Sequence, residues 1–482
     1  MPQRDEPTPP RDPQQIIDEQ RQEIERLRED LRRSEAERQR LRRENEKLKD
    51  DLEAARRAVH RQAAPFARGS CPAQPRRPGR KAGAAYGRRA HRPTPRHVDE
   101  RYVATLPASC PHCHGAVHRV GTAVQYQEEL PTQRPVVRRF DVLIGRCTSC
   151  RRRVQGRHRL QASDALGAAA VQLGPEAVAF AVLLNKRYGL PYGKISALLR
   201  DRFGLTVTRG GLVHAIHRAA RQAQPTYNAL CTTIRASPVV TVDETSWRVA
   251  ADLQWLWVWV TPETTVYAIL PGRGLAQAAS VIGLAYAGVL QHDGWHSYRY
   301  FTDAAHQTCL AHLLRRCRVL LLDHPGHPFV TAVKTVLQAA LATRDAYHAA
   351  SVSPRGLAVA RGRYVARLGR LLERAPSRDR RIALFQQHLV DQFAAIFSFL
   401  FEPTLDATNW RAEHALRPAV VTRKTCGGGN RTVRGAASQQ VLASVLRTAH
   451  QRHLDATDVM VALLTAPTPT VLPSLRRFAA IH

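Results

Sequence analysis

Apolar residues return every seven positions near the start of the chain. Ile17, Ile24, Leu31, Arg38, Asn45, Leu52 and Val59 take one seam position, and Gln20, Leu27, Ser34, Leu41, Leu48 and Ala55 take the other. The positions between are Glu, Arg, Gln, Asp and Lys, so residues 1–60 predict a coiled coil with solvated outer faces. Asn45 on the seam favours a parallel, in-register dimer, because two amides can bond across it. A homodimer or higher oligomer through this segment is expected.

The heptad then gives way to a stretch that cannot bury a core. Residues 61–100 are rich in Arg, Pro and Gly, as in Pro75-Arg-Arg-Pro-Gly-Arg-Lys-Ala-Gly83, and read as a flexible basic linker. Alternation resumes at 101–160, including Val136 to Ile144, between Cys110-Pro-His-Cys113 and Cys147-Thr-Ser-Cys150. Two Cys-x-x-Cys pairs on paired strands offer four thiolates, so Cys110, Cys113, Cys147 and Cys150 predict a zinc ribbon in which Zn2+ replaces a missing core.

Helical spacing dominates 161–236. Ala177 to Leu184 is followed by Ile195, Leu198, Leu199 and Phe203; Gly204 is placed to stop that helix and Thr208 to cap the next, which carries Leu212, Val213, Ile216 and Ala219. The pair reads either as a helix-turn-helix, with Arg209, His214, His217 and Arg218 facing a groove, or as a plain helical packing unit.

From 237 to 430 strands alternate with helices. Strands are expected at Val239–Asp243, Gln254–Val260, Thr265–Leu270, Val289–Asp293 and Gln307–Leu310, with helices over Leu275–Tyr286 and Ala311–Arg316. Three consecutive strands, a crossover helix and two more strands describe the mixed sheet of an RNase H-like domain, in which the first and fourth strands are neighbours. Asp243 and Asp293 would then lie side by side. Glu244 follows Asp243 but points to the other face of the strand. Further acids on the C-terminal side, Asp391, Glu402, Asp406 and Glu413, are candidates for a third member, and the recurrence of Asn409, Glu413 and Arg417 every fourth residue favours Glu413. Buried carboxylates need a cation. Hard oxygen donors select Mg2+ or Mn2+, and two such ions about 3.5–4 Å apart support in-line phosphoryl transfer.

Charge narrows the partner. The 482-residue chain has 72 Lys and Arg against 40 Asp and Glu, a formal net charge of +32, which calls for a polyanion such as nucleic acid. The longest apolar run, Ala177 to Leu184, is short of the ~20 residues a membrane span needs. The start, Met-Pro-Gln-Arg-Asp-Glu-Pro, lacks the apolar stretch of a secretory signal, so a cytoplasmic, nucleoid-associated place is expected.

Val242-Asp-Glu-Thr-Ser-Trp-Arg248, Asp293-Gly294 with Tyr298, Cys309-Leu-Ala-His-Leu-Leu-Arg315, Asn409 with Glu413, Leu416-Arg-Pro418 and Arg423-Lys424 resemble the transposases of the IS66 insertion-sequence family. The resemblance extends over nearly the whole chain. It implies a DDE transposase with Asp243, Asp293 and Glu413 as its triad, a helical insertion at about 320–400, a C-terminal helical tail at 431–482 and small companion proteins of the same element. The chain departs from the family at Thr425-Cys-Gly-Gly-Gly429, where a more apolar segment is expected. Arg417, Arg423, Lys424, Arg431 and Arg434 would suit contacts to phosphate.

The sequence thus predicts a multidomain α/β protein that cuts and joins DNA at element ends and target. The competing class is a DNA-binding protein without catalysis that descends from a mobile element. An RNase H-like nuclease acting on RNA hybrids is a third.

Overall fold

The structure, a computed structural model, describes residues 21–41, 44, 94–128, 130, 134–161, 163–167, 172–425 and 428–475. The chain divides into two compact units, Met1–Tyr126 and Gln127–His482.

In the first unit residues 21–41 form one continuous helix. Its seam residues Leu27 and Leu31 are 58% and 60% exposed, while Arg28 and Arg33 pair along the helix with Glu25 and Asp30. An apolar stripe of this kind has no burial within its own helix. Ile17, Gln20, Asn45, Leu48, Leu52, Ala55 and Val59 lie outside the described residues, as does linker segment 61–93 with Pro75 to Gly83.

The second unit begins with two short antiparallel strands, β1 (Ile144–Arg146) and β2 (Arg153–Gln155). The longer strand expected over Val136–Ile144 contributes only its last residue. Val136, Val137 and Leu143 are 75%, 90% and 82% exposed, and a strand with no surface to bury against gains little.

Three helices follow: α1 (Pro175–Lys186), α2 (Tyr192–Phe203) and α3 (Arg209–Arg235). Gly204 ends α2 in the left-handed conformation, and the Thr208 hydroxyl accepts from Gly211 N at 3.0 Å to start α3, as their sequence positions predict. Ala181, Leu184, Ile195, Leu199 and Leu212 close a small core between the three. Beyond Leu212, α3 runs on as a 27-residue helix whose Ala219, Ala223, Leu230 and Ile234 lie in the main core. The expected groove-facing set is corrected at one place: His217 is buried and its Nδ1 sits 2.7 Å from Ser438 Oγ, because the C-terminal helix packs on that side.

The sheet is built on β3 (Val239–Val249). It pairs antiparallel with β4 (Asp252–Val260), which pairs antiparallel with β5 (Thr265–Leu270). On its other side β3 pairs parallel with β6 (Val289–His292), and β6 with β7 (Ala305–Thr308), so the order is β5-β4-β3-β6-β7. The crossover from β5 to β6 carries α4 (Leu275–Ile282), shorter than the expected reach to Tyr286 because Gly283 breaks it.

Period-two alternation separates the two faces of β3. Val240 and Val242 meet Trp257, Trp259, Leu290 and α3 on one side. Trp247 and Val249 meet Leu256, Val258 and Tyr267 on the other, beneath Ala412, Ala415 and Leu416 of α9 (Trp410–Thr425). Between β7 and α9 the chain forms α5 (Leu310–Asp323), α6 (Pro328–His348), α7 (Pro354–Leu372), α8 (Arg380–Asp391) and two short turns, around a core of their own that also takes in Val239 and Val289.

The two-residue strand β8 (Gly429–Asn430) adds to the far end of β3, opposite Arg248 and Val249. Gly429 has a structural use here, since a Cβ on it would collide with Arg248 O. Cys426 and Gly427 lie outside the described residues.

The segment expected as a tail is part of the sheet's core. In α10 (Val433–Gln451), Val441, Leu442 and Val445 are buried, followed by α11 (Ala456–Thr465). Thr448 Oγ1, Ser444 Oγ and Gln440 Oε1, four residues apart, accept from Thr265 N, Tyr267 N and Ile269 N at 3.1, 2.9 and 3.1 Å. One helical row thus satisfies the free donors of edge strand β5, which would otherwise template pairing with another chain.

Candidate active site

Parallel pairing sets the first two acids. Thr241 is the register partner of Gln291, and Asp243 and Asp293 each lie two residues further along. Extending that register two residues past the ladder brings Asp243 and Asp293 to corresponding positions on neighbouring segments, close enough for Asp293 to act electrostatically on the Asp243 carboxyl. Asp243 was expected to end its strand. Instead β3 continues to Val249 through its pairing with β4, and the opening lies only on the β6 side, where the ladder stops at Thr241.

The turn after β6 fixes Asp293. Its Oδ1 accepts from Trp295 N at 2.8 Å, and Gly294 adopts φ +89°, where a side chain would also press on His388. Beneath it, Gly294 N donates to His292 Nδ1 at 3.0 Å. His292 Nε2 must then carry the hydrogen given to His306 Nδ1 at 3.0 Å, and His306 Nε2 donates to Phe301 O at 2.9 Å. Burial, then His306 and His388, pushes the His292 pKa well below its ordinary value, so the relay is neutral.

Glu413 arrives from the other end of the chain. Gln291 accepts from Thr241 Oγ1 at 2.8 Å and donates to Asp406 O at 2.7 Å; Leu310 N donates to Ala407 O at 3.0 Å, and Asn409 N to Cys309 Sγ at 3.3 Å. The last three of these bonds pin the chain that enters α9. Its first turn carries Glu413 over the same face as Asp243. Glu413 Oε1 lies 3.6 Å from His312 Nε2 and 3.8 Å from Arg315 Nη2. Asn409 does not share an exposed face with Glu413 and Arg417 as its spacing suggested. It precedes the helix and is buried, with its carbonyl accepting from Ala412 N and Glu413 N, while Arg417 is exposed. Both amide atoms of Asn409 and Nδ1 of His312 are buried without a partner among the described residues.

The electrostatics are those of crowded acids. Burial first, then Glu244, Asp293 and Glu413, raises the Asp243 carboxyl well above the usual carboxylate range, although Glu244 N donates to its Oδ1 at 2.9 Å. A divalent ion beside these groups would remove the penalty, and an all-carboxylate donor set fits a hard ion. Among the described residues no three His, Cys, Asp or Glu side chains are drawn together tightly enough to grip one as they stand. Glu413 is held instead by His312 and Arg315.

Sequence reading missed Arg273. It follows β5 in a Gly-containing turn with no periodic signal, yet its Nη2 lies 2.5 Å from Glu244 Oε1 and 3.8 Å from Asp293 Oδ2. Glu244 is on the opposite face from Asp243, as alternation requires, and is buried.

The two cysteine pairs form matching turns, each taken by itself. Cys110 N donates to Gly115 O and His114 N to Cys110 O; Cys147 N donates to Arg152 O and Arg151 N to Cys147 O. The residue after each second cysteine, His114 or Arg151, has positive φ. Backbone N–H groups of His112 and Cys113 lower the Cys110 thiol pKa, and those of Cys150 and Ser149 lower Cys147.

Of the expected DNA contacts, Arg209, Arg218, Arg417, Lys424, Arg431 and Arg434 are exposed. Arg423 is part-buried and spends its guanidinium on β3, donating to Thr245 Oγ1, Ser246 O and Ser246 Oγ. Among the described residues no helix is long and apolar enough to cross a membrane.

The family profile described as Transposase IS66 family matches residues 170–438, a span that contains all three acids and every strand of the sheet. No curated protein matches the chain.

Proposed function

The chain belongs to the IS66 family of transposases, and from that premise we propose that it cuts and joins DNA at insertion-sequence ends through Asp243, Asp293 and Glu413. The observation that supports this reading is the β3–β6 register, which brings Asp243 and the turn residue Asp293 to corresponding positions, with Asp293 and Glu413 both acting on the Asp243 carboxyl. The strand order β5-β4-β3-β6-β7, with the first and fourth strands of the sheet adjacent and parallel, supports an RNase H-like assignment.

Bound Mg2+ or Mn2+ would supply Lewis-acid polarisation of the phosphoryl group and stabilise charge in an in-line displacement. Asp243 and Asp293 would hold it, and Glu413 would complete the set on leaving His312 and Arg315. The buried environment of Asp243 raises the cost of its charge until a cation is present, which favours cation uptake. The exposed Arg209, Arg218, Arg417, Lys424 and Arg431 would hold phosphates of element ends and target without reading sequence.

Two further features support finer parts of the proposal. Backbone donors beside the Cys110 and Cys147 thiols suit Zn2+ ligation by each Cys-x-x-Cys pair taken by itself. The exposed Leu27 and Leu31 seam suits self-association of the N-terminal helix, and small accessory proteins of the same element would complete the assembly.

A nicking and strand-transfer assay on element-end DNA with Mg2+ tests the central reading. Wild type is expected to give both products and Asp243→Asn neither, with DNA binding equal in the two. Absence of products from both would instead assign the chain to the non-catalytic DNA-binding class, and cleavage of RNA hybrids alone would assign it to the nucleases.

A further inference from the structure

Asp243 is followed by a second acid that the proposed site does not use. The Glu244 side chain is wholly shielded from solvent. Its Oε2 accepts from the Tyr298 hydroxyl at 2.5 Å, and its Oε1 accepts from Arg273 Nε at 2.5 Å, with Nη2 of the same guanidinium also 2.5 Å away. The guanidinium is itself fixed. It lies over the Trp295 ring at 3.8 Å and the Trp255 ring at 4.8 Å, while the Arg273 carbonyl accepts from Trp295 Nε1 at 3.1 Å and Ser297 Oγ at 3.0 Å.

One amino group, Nη2, therefore faces two carboxylates. It is ion-paired with Glu244 at 2.5 Å and stands 3.8 Å from Asp293 Oδ2, beyond hydrogen-bond reach. Asp293 Oδ1 is already taken by Trp295 N, so Oδ2 is the oxygen left for a ligand. Were Glu244 neutral, Asp293 would be the nearest anion to a guanidinium that the two tryptophans hold in place. An arginine on that oxygen excludes a metal ion by occupancy and by like charge.

We propose that Glu244 is a positioning residue which holds the Arg273 guanidinium away from Asp293 and so keeps an Asp293 oxygen free for a divalent cation. The inference rests on the reading of Asp243, Asp293 and Glu413 as a cation site. Glu244 acts from the far face of β3, through Arg273, and touches neither the cation nor DNA. This accounts for the adjacent acids: Asp243 faces the site and Glu244 restrains the guanidinium that would compete for Asp293.

Equilibrium binding of Mn2+ to the intact protein, read from the electron paramagnetic resonance signal of the free ion, tests this without any turnover. Glu244→Gln keeps the shape and the acceptor for Tyr298 while removing the charge, and is expected to weaken Mn2+ binding about fivefold or more. Glu244→Gln combined with Arg273→Gln removes the competitor as well and is expected to return binding to within about twofold of wild type. A merely structural role would lower the melting temperature of the single variant without producing this rescue. Unchanged Mn2+ binding in folded Glu244→Gln, or a double variant as weak as the single one, overturns the proposal. Should Glu244→Gln not fold, Arg273→Gln alone decides: binding at least as tight as wild type is expected, and weaker binding overturns it. Wild-type binding that Asp293→Asn leaves untouched would overturn the cation-site reading itself, and the inference with it.

Discussion

Asp243 and Asp293 are placed by strands whose backbones bond directly to each other, whereas Glu413 is placed by a helix that returns to the sheet only after the helices α5 to α8. Asp243 needs only the β3 ladders, and Asp293 adds to the β3–β6 register only the short turn that follows β6. The glutamate depends on the Gln291 bond to Asp406, the Leu310 bond to Ala407 and the Cys309 bond to Asn409. Positions fixed by ladder hydrogen bonds are set as soon as the sheet forms, while Glu413, held by a few isolated bonds outside the ladders, can shift without unfolding the sheet. That difference fits the contacts of Glu413, which sits between His312 and Arg315 at 3.6 and 3.8 Å.

Breaking the strand-borne half should have the largest effect. Asp243→Asn and Asp293→Asn are each expected to lower strand transfer on the order of 10³-fold or more while DNA affinity in a gel-shift titration stays at the wild-type level. Breaking the isolated bonds should cost less and act differently. Gln291→Leu leaves the Asp406 carbonyl and Thr241 hydroxyl without partners, and is expected to destabilise the unit by about 1–3 kcal/mol in a denaturant titration. It should also raise hydrogen exchange at the start of α9 more than in β6.

A third test sharpens the comparison through pH. The Asp243 carboxyl is raised by burial, then by Glu244, Asp293 and Glu413. Without divalent ions the folded chain keeps this proton at pH values where the unfolded chain has lost it. The resulting stability is full below the ordinary carboxylate range and is lost as pH rises through the raised value. Asp243→Asn cannot ionise. In a chelator its melting temperature is expected to exceed wild type by more at about pH 8 than at about pH 4, and added Mn2+ should close the gap. The smallest effect is expected at Arg423→Ala, which frees the end of α9 from Ser246 and should cost under about 1 kcal/mol in the same denaturant titration.

What the sequence made legible follows the same division. Short β-branched runs with turn residues between them located all five main strands, and the parallel neighbours β3 and β6 follow from the crossover. Thr208 and Gly204 marked their helix ends because capping is local chemistry. Glu413 could be ranked above Asp391, Glu402 and Asp406 by spacing and resemblance, but not placed, since its position rests on contacts between residues about a hundred positions apart. Arg273 and the His292–His306 relay left no periodic mark, and the every-fourth spacing of Gln440, Ser444 and Thr448 does not say which strand the row meets, because each is defined by what it meets in space. His217 went the other way: a basic residue on a candidate recognition helix is turned inwards by Ser438 of α10, which no local pattern announces.

The central claim is that Asp243, Asp293 and Glu413 share one cation site, and the most direct measurement is anomalous scattering from crystals of the intact protein grown with Mn2+. The account predicts a Mn2+ peak bridging the carboxylates of Asp243 and Asp293, with Glu413 turned towards it and away from Arg315. Strong Mn2+ peaks elsewhere on the chain, with none between those two aspartates, would contradict it.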